Sequence, residues 1–178
     1  MTKKIERTNR YNKANISDFN NNEIIRYCID WTKEPQKSLS PMIIGETGVG
    51  KTYLFWALYR ELIRNGFETE DVKIETDVEM LNEIRSGIAT NQSDNILRDY
   101  KKIGILLLDD VCAKRETSWT MEQCLLIIDY RWRYNLPTAF NTNYSIERLS
   151  EVLGDRIVSR IIGMTKQFIM TGKDRRII

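Results

Sequence analysis

A short apolar run, Met42-Ile43-Ile44, leads into Gly45-Glu46-Thr47-Gly48-Val49-Gly50-Lys51-Thr52, which matches GxxxxGK[ST] at every fixed position. That pattern works only between a strand and a helix. Its glycines turn successive backbone N–H groups inward around a phosphate, and the helix that follows adds the positive end of its dipole. The flanks comply: Leu54, Ala57, Leu58 and Leu62 recur on one helical face after Lys51, and Gly66 is the stop. Gly45 through Thr52 is therefore the candidate nucleotide site. Lys51 would reach the β- and γ-phosphates of ATP, and the Thr52 hydroxyl is placed to ligate Mg²⁺.

Downstream, strand and helix patterns alternate. Val72, Ile74 and Thr76 alternate with charged residues as a strand, and Asp77 reads as the cap of a helix whose inner face is Met80, Leu81, Ile84 and Ile88. The segment 103–108 lies between a basic and an acidic pair and reads as a central strand buried on both faces. A helix over about 119–134 would pack Met121, Leu125, Ile128 and Trp132 inward, with Pro137 at its exit, and 138–142 would be the next strand. Ser145 caps a helix carrying Ile146, Leu149, Val152 and Leu153 that Gly154 ends. Asp155 opens another that Gly163 ends, and 166–170 is the last strand. The expected fold is α/β, a mostly parallel sheet covered by helices on both faces.

With 178 residues, 42% hydrophobic and 29% charged, the chain fits one globular domain. It has no histidine, and its three cysteines form no CxxC pair, so histidine catalysis and a Cys/His zinc site are excluded. A general base must then be a carboxylate, lysine, tyrosine or a held water. The longest apolar run, 53–59, is far below the ~20 residues of a membrane span, and no leader pattern opens the chain, so a cytoplasmic protein with no membrane partner is expected. Charge is uneven. Residues 1–13 carry five basic side chains against one acidic, and 156–178 carry six against one, leaving an acidic middle. Such ends suit a polyanion such as nucleic acid, or equally a solvated arm plus arginines used within a site.

The strand over 103–108 ends at Asp109-Asp110. A carboxylate at that tip can hold Mg²⁺ opposite Thr52, the role assigned to Asp109, while Asp110 would orient or deprotonate the attacking water. Aspartate in the second position is one methylene shorter than glutamate, which predicts slow hydrolysis. Asn143, after the next strand, could touch both the γ-phosphate and that water, or be a turn residue. Arg156 and Arg160 are four apart on one helical face: either a finger offered to a neighbouring subunit's γ-phosphate or a salt-bridged surface.

The ordered set GETGVGKT, LLLDDV, RETSW, LPTAFNTNYSIERLSEVLGDRIVSRI and TGKDRR resembles the AAA+ ATPases of the DnaC/DnaI helicase-loader type and, more distantly, IstB, over about Tyr11 to Arg176. The resemblance implies a P-loop NTPase with an AAA+ core and a five-stranded parallel sheet in the order 5-1-4-3-2. Lys51 and Thr52 would be Walker A, Asp109 and Asp110 Walker B, Asn143 sensor 1 and Arg160 the arginine finger, with Arg175 or Arg176 near the sensor 2 position. It implies a homo-oligomeric ATPase that loads a replicative DNA helicase on single-stranded DNA; the alternatives are a transposition accessory ATPase and a stand-alone nucleotide switch. Residues 1–10 would be a basic arm and 11–178 the ATPase domain without a separate helical lid. Only about 40 residues precede the loop, fewer than a helicase-gripping domain needs.

Overall fold

The computed structural model describes residues 11–20, 22–111 and 117–174. The basic side chains of 1–10, and Arg175 and Arg176, lie outside the described residues. Five strands, β1 (Ser40–Ile44), β2 (Val72–Thr76), β3 (Ile105–Asp109), β4 (Thr138–Thr142) and β5 (Thr165–Ile169), form one sheet in the order β2-β3-β4-β1-β5. Every pairing is parallel. This is the order expected from the resemblance, read from the other edge.

Parallel strands need covered faces, and the alternation of side chains supplies two cores. Ile43, Ile105, Leu107 and Ala139 point to one face, where α1 (Glu23–Lys33) and α2 (Lys51–Arg64) pack Trp31, Leu54, Phe55 and Leu58. Met42, Leu106, Leu108 and Phe140 point to the other. There α3 (Asp77–Ile88), α4 (Ser93–Lys102), α5 (Ser118–Arg133), α6 (Ile146–Leu153) and α7 (Asp155–Met164) pack Ile84, Ile127, Leu149 and Ile157.

Several local expectations shift. The α3 cap is Thr76, whose hydroxyl accepts the Glu79 N–H, and Asp77 is already helical and buried. Ile88 is 55% exposed, and Gly87 faces inward in its place. A Cβ at Gly87 would lie 2.9 Å from the Ser93 nitrogen, so only glycine lets α4 pack this close. Two helices, α1 and α4, add to the elements expected from the sequence. Asn22, the last residue of an asparagine run, caps α1 by accepting the Ile25 N–H.

On α5 the inward stripe is Thr120, Cys124, Ile127, Ile128 and Arg131, so of the four residues expected there only Ile128 is buried; Trp132 is 43% exposed. Arg131 is wholly enclosed. Its guanidinium donates to the carbonyls of Tyr100, Lys101, Ile103 and Pro137 and to Thr138 Oγ1. Two of those carbonyls end α4 and one enters β3, where the side chain supplies the donor, while the fourth, Pro137 O, also accepts the Leu106 N–H at 3.0 Å. Burial pulls its pKa down to about 9, still above neutrality, so it stays charged at pH 7. Arg131→Met should therefore cost at least about 3 kcal/mol, at about 1–3 kcal/mol for each of the Tyr100, Lys101 and Ile103 carbonyls that loses this donor, measured by urea denaturation. Loss of less than about 0.5 kcal/mol would show that water replaces the guanidinium.

Candidate functional site

The strands β1, β3 and β4 end at one edge of the sheet, where Ile44 pairs with Thr142 and Leu108 with Phe140. Open parallel sheets bind ligands at this carboxyl edge. The loop 45–50 leaves β1 here and delivers Lys51 as the first residue of α2, with Gly50 at φ +108° in the cap position and Gly48 at φ +89°. At Gly45 a side chain is excluded by a backbone clash as well, whereas at Gly48 it would press on another side chain. A Cβ at Gly45 would meet the Met170 carbonyl oxygen at 2.3 Å, and one at Gly48 would meet the Asp174 carboxylate at 2.2 Å. The segment after β5 thus runs against the loop, and Met170 N–H donates to Ile44 O.

A single path of hydrogen bonds joins Lys51, Thr52, Asp109, Asp110 and Asn143. Lys51 Nζ donates to Gly45 O at 2.8 Å, Glu46 O at 3.0 Å and Asn143 Oδ1 at 2.5 Å. Asn143 Nδ2 donates to Asp110 Oδ1 at 2.9 Å. The Asp110 N–H donates to Asn141 Oδ1 at 2.9 Å, and Asn141 Nδ2 to Asp109 Oδ1 at 2.5 Å. Thr52 Oγ1 donates to that same oxygen at 3.2 Å, which closes the path at the neighbour of Lys51. Asp110 holds φ +53°, a left-handed backbone that aspartate tolerates better than most residues.

Burial raises the Asp109 pKa above the ordinary aspartate value; the bonds from Asn141 and Thr52 oppose it, Asp110 adds to it and Lys51 again opposes it. Beside it opens a cleft of about 320 Å³ that also touches Thr52, Asp110, Trp56 and Glu75. Burial, then the Glu79 carboxylate, push Glu75 up to about 7. Asn141, fully buried in β4, was missed by sequence reasoning, which stopped at Asn143. No local signal marked it, because β4 reads Thr-Ala-Phe-Asn-Thr and carries two further polar residues.

Arg156 and Arg160 are not joined to this path. Arg160 Nε donates to Asp129 Oδ1 at 2.5 Å and Nη1 to Arg156 O at 2.8 Å, and its guanidinium lies 5.4 Å from the Trp132 ring centroid. Burial raises the Asp129 pKa, but the bonds from Arg160 and Arg133 outweigh it and hold the carboxyl below its usual range. Arg156 is exposed.

The donor set suits Mg·ATP. Backbone N–H groups of a glycine loop, a lysine ammonium, a hydroxyl and a carboxylate are a phosphate cradle beside hard oxygen ligands, and Gly48 and Gly50 hold the left-handed backbone that side chains rarely adopt.

A family model, the bacterial DnaA ATPase domain, matches residues 9–165. The replicative helicase loader DnaI of Bacillus subtilis (strain 168) is 25% identical over 182 residues, covering 93% of this chain and 58% of that protein. The chain spans about half the length of the curated relatives it matches. Among solved structures, that of the DnaC helicase loader superposes with TM-score 0.81 at 22% identity, over 91% of this chain and 99% of that one. The replication initiator DnaA bound to AMPPCP and single-stranded DNA superposes with TM-score 0.74 at 22% identity, over 91% of this chain and 51% of that one. These likenesses fit the loader-type AAA+ core that the motifs suggested.

Since the folded state raises the Asp109 pKa, ionised Asp109 lowers the stability of the nucleotide-free protein above its ordinary titration range, a penalty relieved as pH falls through the raised value. Asp109→Asn should raise Tm at pH 7 without nucleotide, and the gain over the parent protein should shrink at pH 4 in differential scanning calorimetry. An equal or lower Tm at pH 7 would contradict this.

Proposed function

Because the chain belongs to the bacterial DnaA ATPase-domain family, we propose that it binds and hydrolyses Mg·ATP as a DNA-replication factor, using its nucleotide state to load a replicative helicase on single-stranded DNA in the cytoplasm. The observation that supports this most is the unbroken hydrogen-bond path from Lys51 through Asn143, Asp110, Asn141 and Asp109 to Thr52. The solved structure of a related initiator with AMPPCP and single-stranded DNA supports the choice of ligands.

In this reading Gly45 to Thr52 wrap the phosphates, and Lys51 exchanges Asn143 for phosphate oxygen. Thr52 and Asp109 would hold Mg²⁺, which would neutralise charge developing on the transferred phosphoryl group. Asn143, released by Lys51 but still hydrogen-bonded to Asp110, would orient the attacking water, with Asp110 as the proton acceptor. Arg160 would act on a neighbouring subunit's γ-phosphate in a homo-oligomer, presented by its bond to Asp129. Arg156 is the second candidate on the same helix.

Lys51→Ala should weaken binding of a fluorescent ATP analogue sharply; equal affinity would sink the site. Asp110→Asn should keep Mg²⁺-dependent binding and lose turnover, whereas Asp109→Asn should lose the Mg²⁺ dependence too. Arg160→Ala should bind ATP normally and hydrolyse it about 10³-fold more slowly. Mixing it with Lys51→Ala subunits should restore activity, because a mixed interface contains one complete site. No complementation, with activity strictly proportional to protein concentration, would remove the subunit-interface mechanism. Affinity purification should recover a replicative helicase; recovery of a transposase instead would move the protein to the mobile-element reading.

A further inference from the structure

Asn141 is the fourth residue of β4 and is fully buried, and none of the nucleotide motifs assigns it a task. Its amide faces two different partners: Oδ1 accepts the Asp110 N–H at 2.9 Å, and Nδ2 donates to Asp109 Oδ1 at 2.5 Å. A backbone N–H can only donate and an ionised carboxylate can only accept, so a single amide orientation satisfies both. The reversed amide would set donor against donor and acceptor against acceptor. The backbone of Asn141 adds a third tie, accepting the Val111 N–H at 2.9 Å, and Thr142 Oγ1 donates to Val111 O at 2.9 Å. The turn that carries Asp110 in its left-handed conformation is therefore bound to β4 on both sides.

Both bonds to Asp109, from Asn141 and from Thr52, end on Oδ1. Among the described residues Oδ2 takes no hydrogen bond, and Asp109 lines the cleft. We propose that Asn141 is a positioning residue for the magnesium site: it clamps Asp109 by one oxygen and Asp110 by its backbone, so that the first carboxylate is aimed at the metal and the second at the water. The inference rests on the reading of Thr52 and Asp109 as Mg²⁺ ligands. A serine or threonine side chain is too short to span both partners, and leucine offers neither donor nor acceptor. Partners of this kind commonly set metal affinity by 10–100-fold through the ligands they orient.

The test is a Mg²⁺ titration of ATP-analogue binding, read by fluorescence anisotropy with no turnover required. Asn141→Leu and Asn141→Thr should move the Mg²⁺ concentration of half-maximal effect upward by about 10- to 100-fold. Nucleotide affinity in EDTA should stay at the parent value, which shows that the loop and fold are intact. The β-branched threonine suits a strand, so it carries the test if leucine disturbs folding. A parent-like Mg²⁺ midpoint in a variant that still binds nucleotide would overturn the proposal. If the parent protein shows no Mg²⁺ dependence, or Asp109→Asn retains it, the metal reading falls and the role of Asn141 falls with it. If the parent responds and Asp109→Asn does not, a parent-like Asn141 variant refutes the positioning role alone.

Discussion

An ionised carboxylate buried at the tip of a sheet is costly, and much of the arrangement around Asp109 answers that cost. Asp109 is 6% exposed. It receives an amide from β4 and a hydroxyl from α2, and so depends on elements far apart in sequence. The parallel register makes this possible: with Leu108 opposite Phe140 and Ile44 opposite Thr142, the tips of β1, β3 and β4 stand in line. Moving any one of them by a residue would send its polar tip to the wrong face, because side chains alternate along a strand.

The remainder of the fold keeps those tips in place. Two apolar layers, one on each sheet face, cover the central strands. Arg131 instead uses hydrogen bonds, tying the end of α4 to the starts of β3 and β4 at the edge opposite the loop. One end of the central strands is thus fixed by a buried guanidinium and the other by two asparagines. Arg131 and Asn141 are retained in the interior because each satisfies backbone or carboxylate groups that apolar packing would strand. Asp110 keeps its left-handed backbone under the same constraint, held by Asn141 and Asn143. Strain of this kind is commonly found at functional sites.

The strands and the loop were legible because their signals are local: short apolar runs, a glycine pattern and an acidic pair each identify themselves. Gly48 and Gly50 do adopt the positive φ that the pattern demands. What escaped depends on partners. The helix α4 fully buries only Tyr100 and packs Ile96 and Leu97 partly against the same core, a stripe too short to stand out among its polar residues. On α5 the inner face includes Thr120 and Arg131, while Trp132 lies outside against Gly163 and Arg160, which inverts the usual hydropathy signal. Asn141 was invisible for the same reason. An asparagine in a strand declares its purpose only when Asp109 and the Asp110 N–H are seen on either side of its amide.

The central claim is that Lys51, Asn143, Asp110, Asn141, Asp109 and Thr52 act together as one Mg·ATP site. A crystal structure with Mg²⁺ and a non-hydrolysable ATP analogue tests it most directly. The account predicts Lys51 Nζ detached from Asn143 and bound to phosphate, Mg²⁺ about 2.1 Å from Thr52 Oγ1, and the Asn141–Asp109 bond unbroken. Nucleotide seated elsewhere, with the Lys51–Asn143 bond intact, would contradict it.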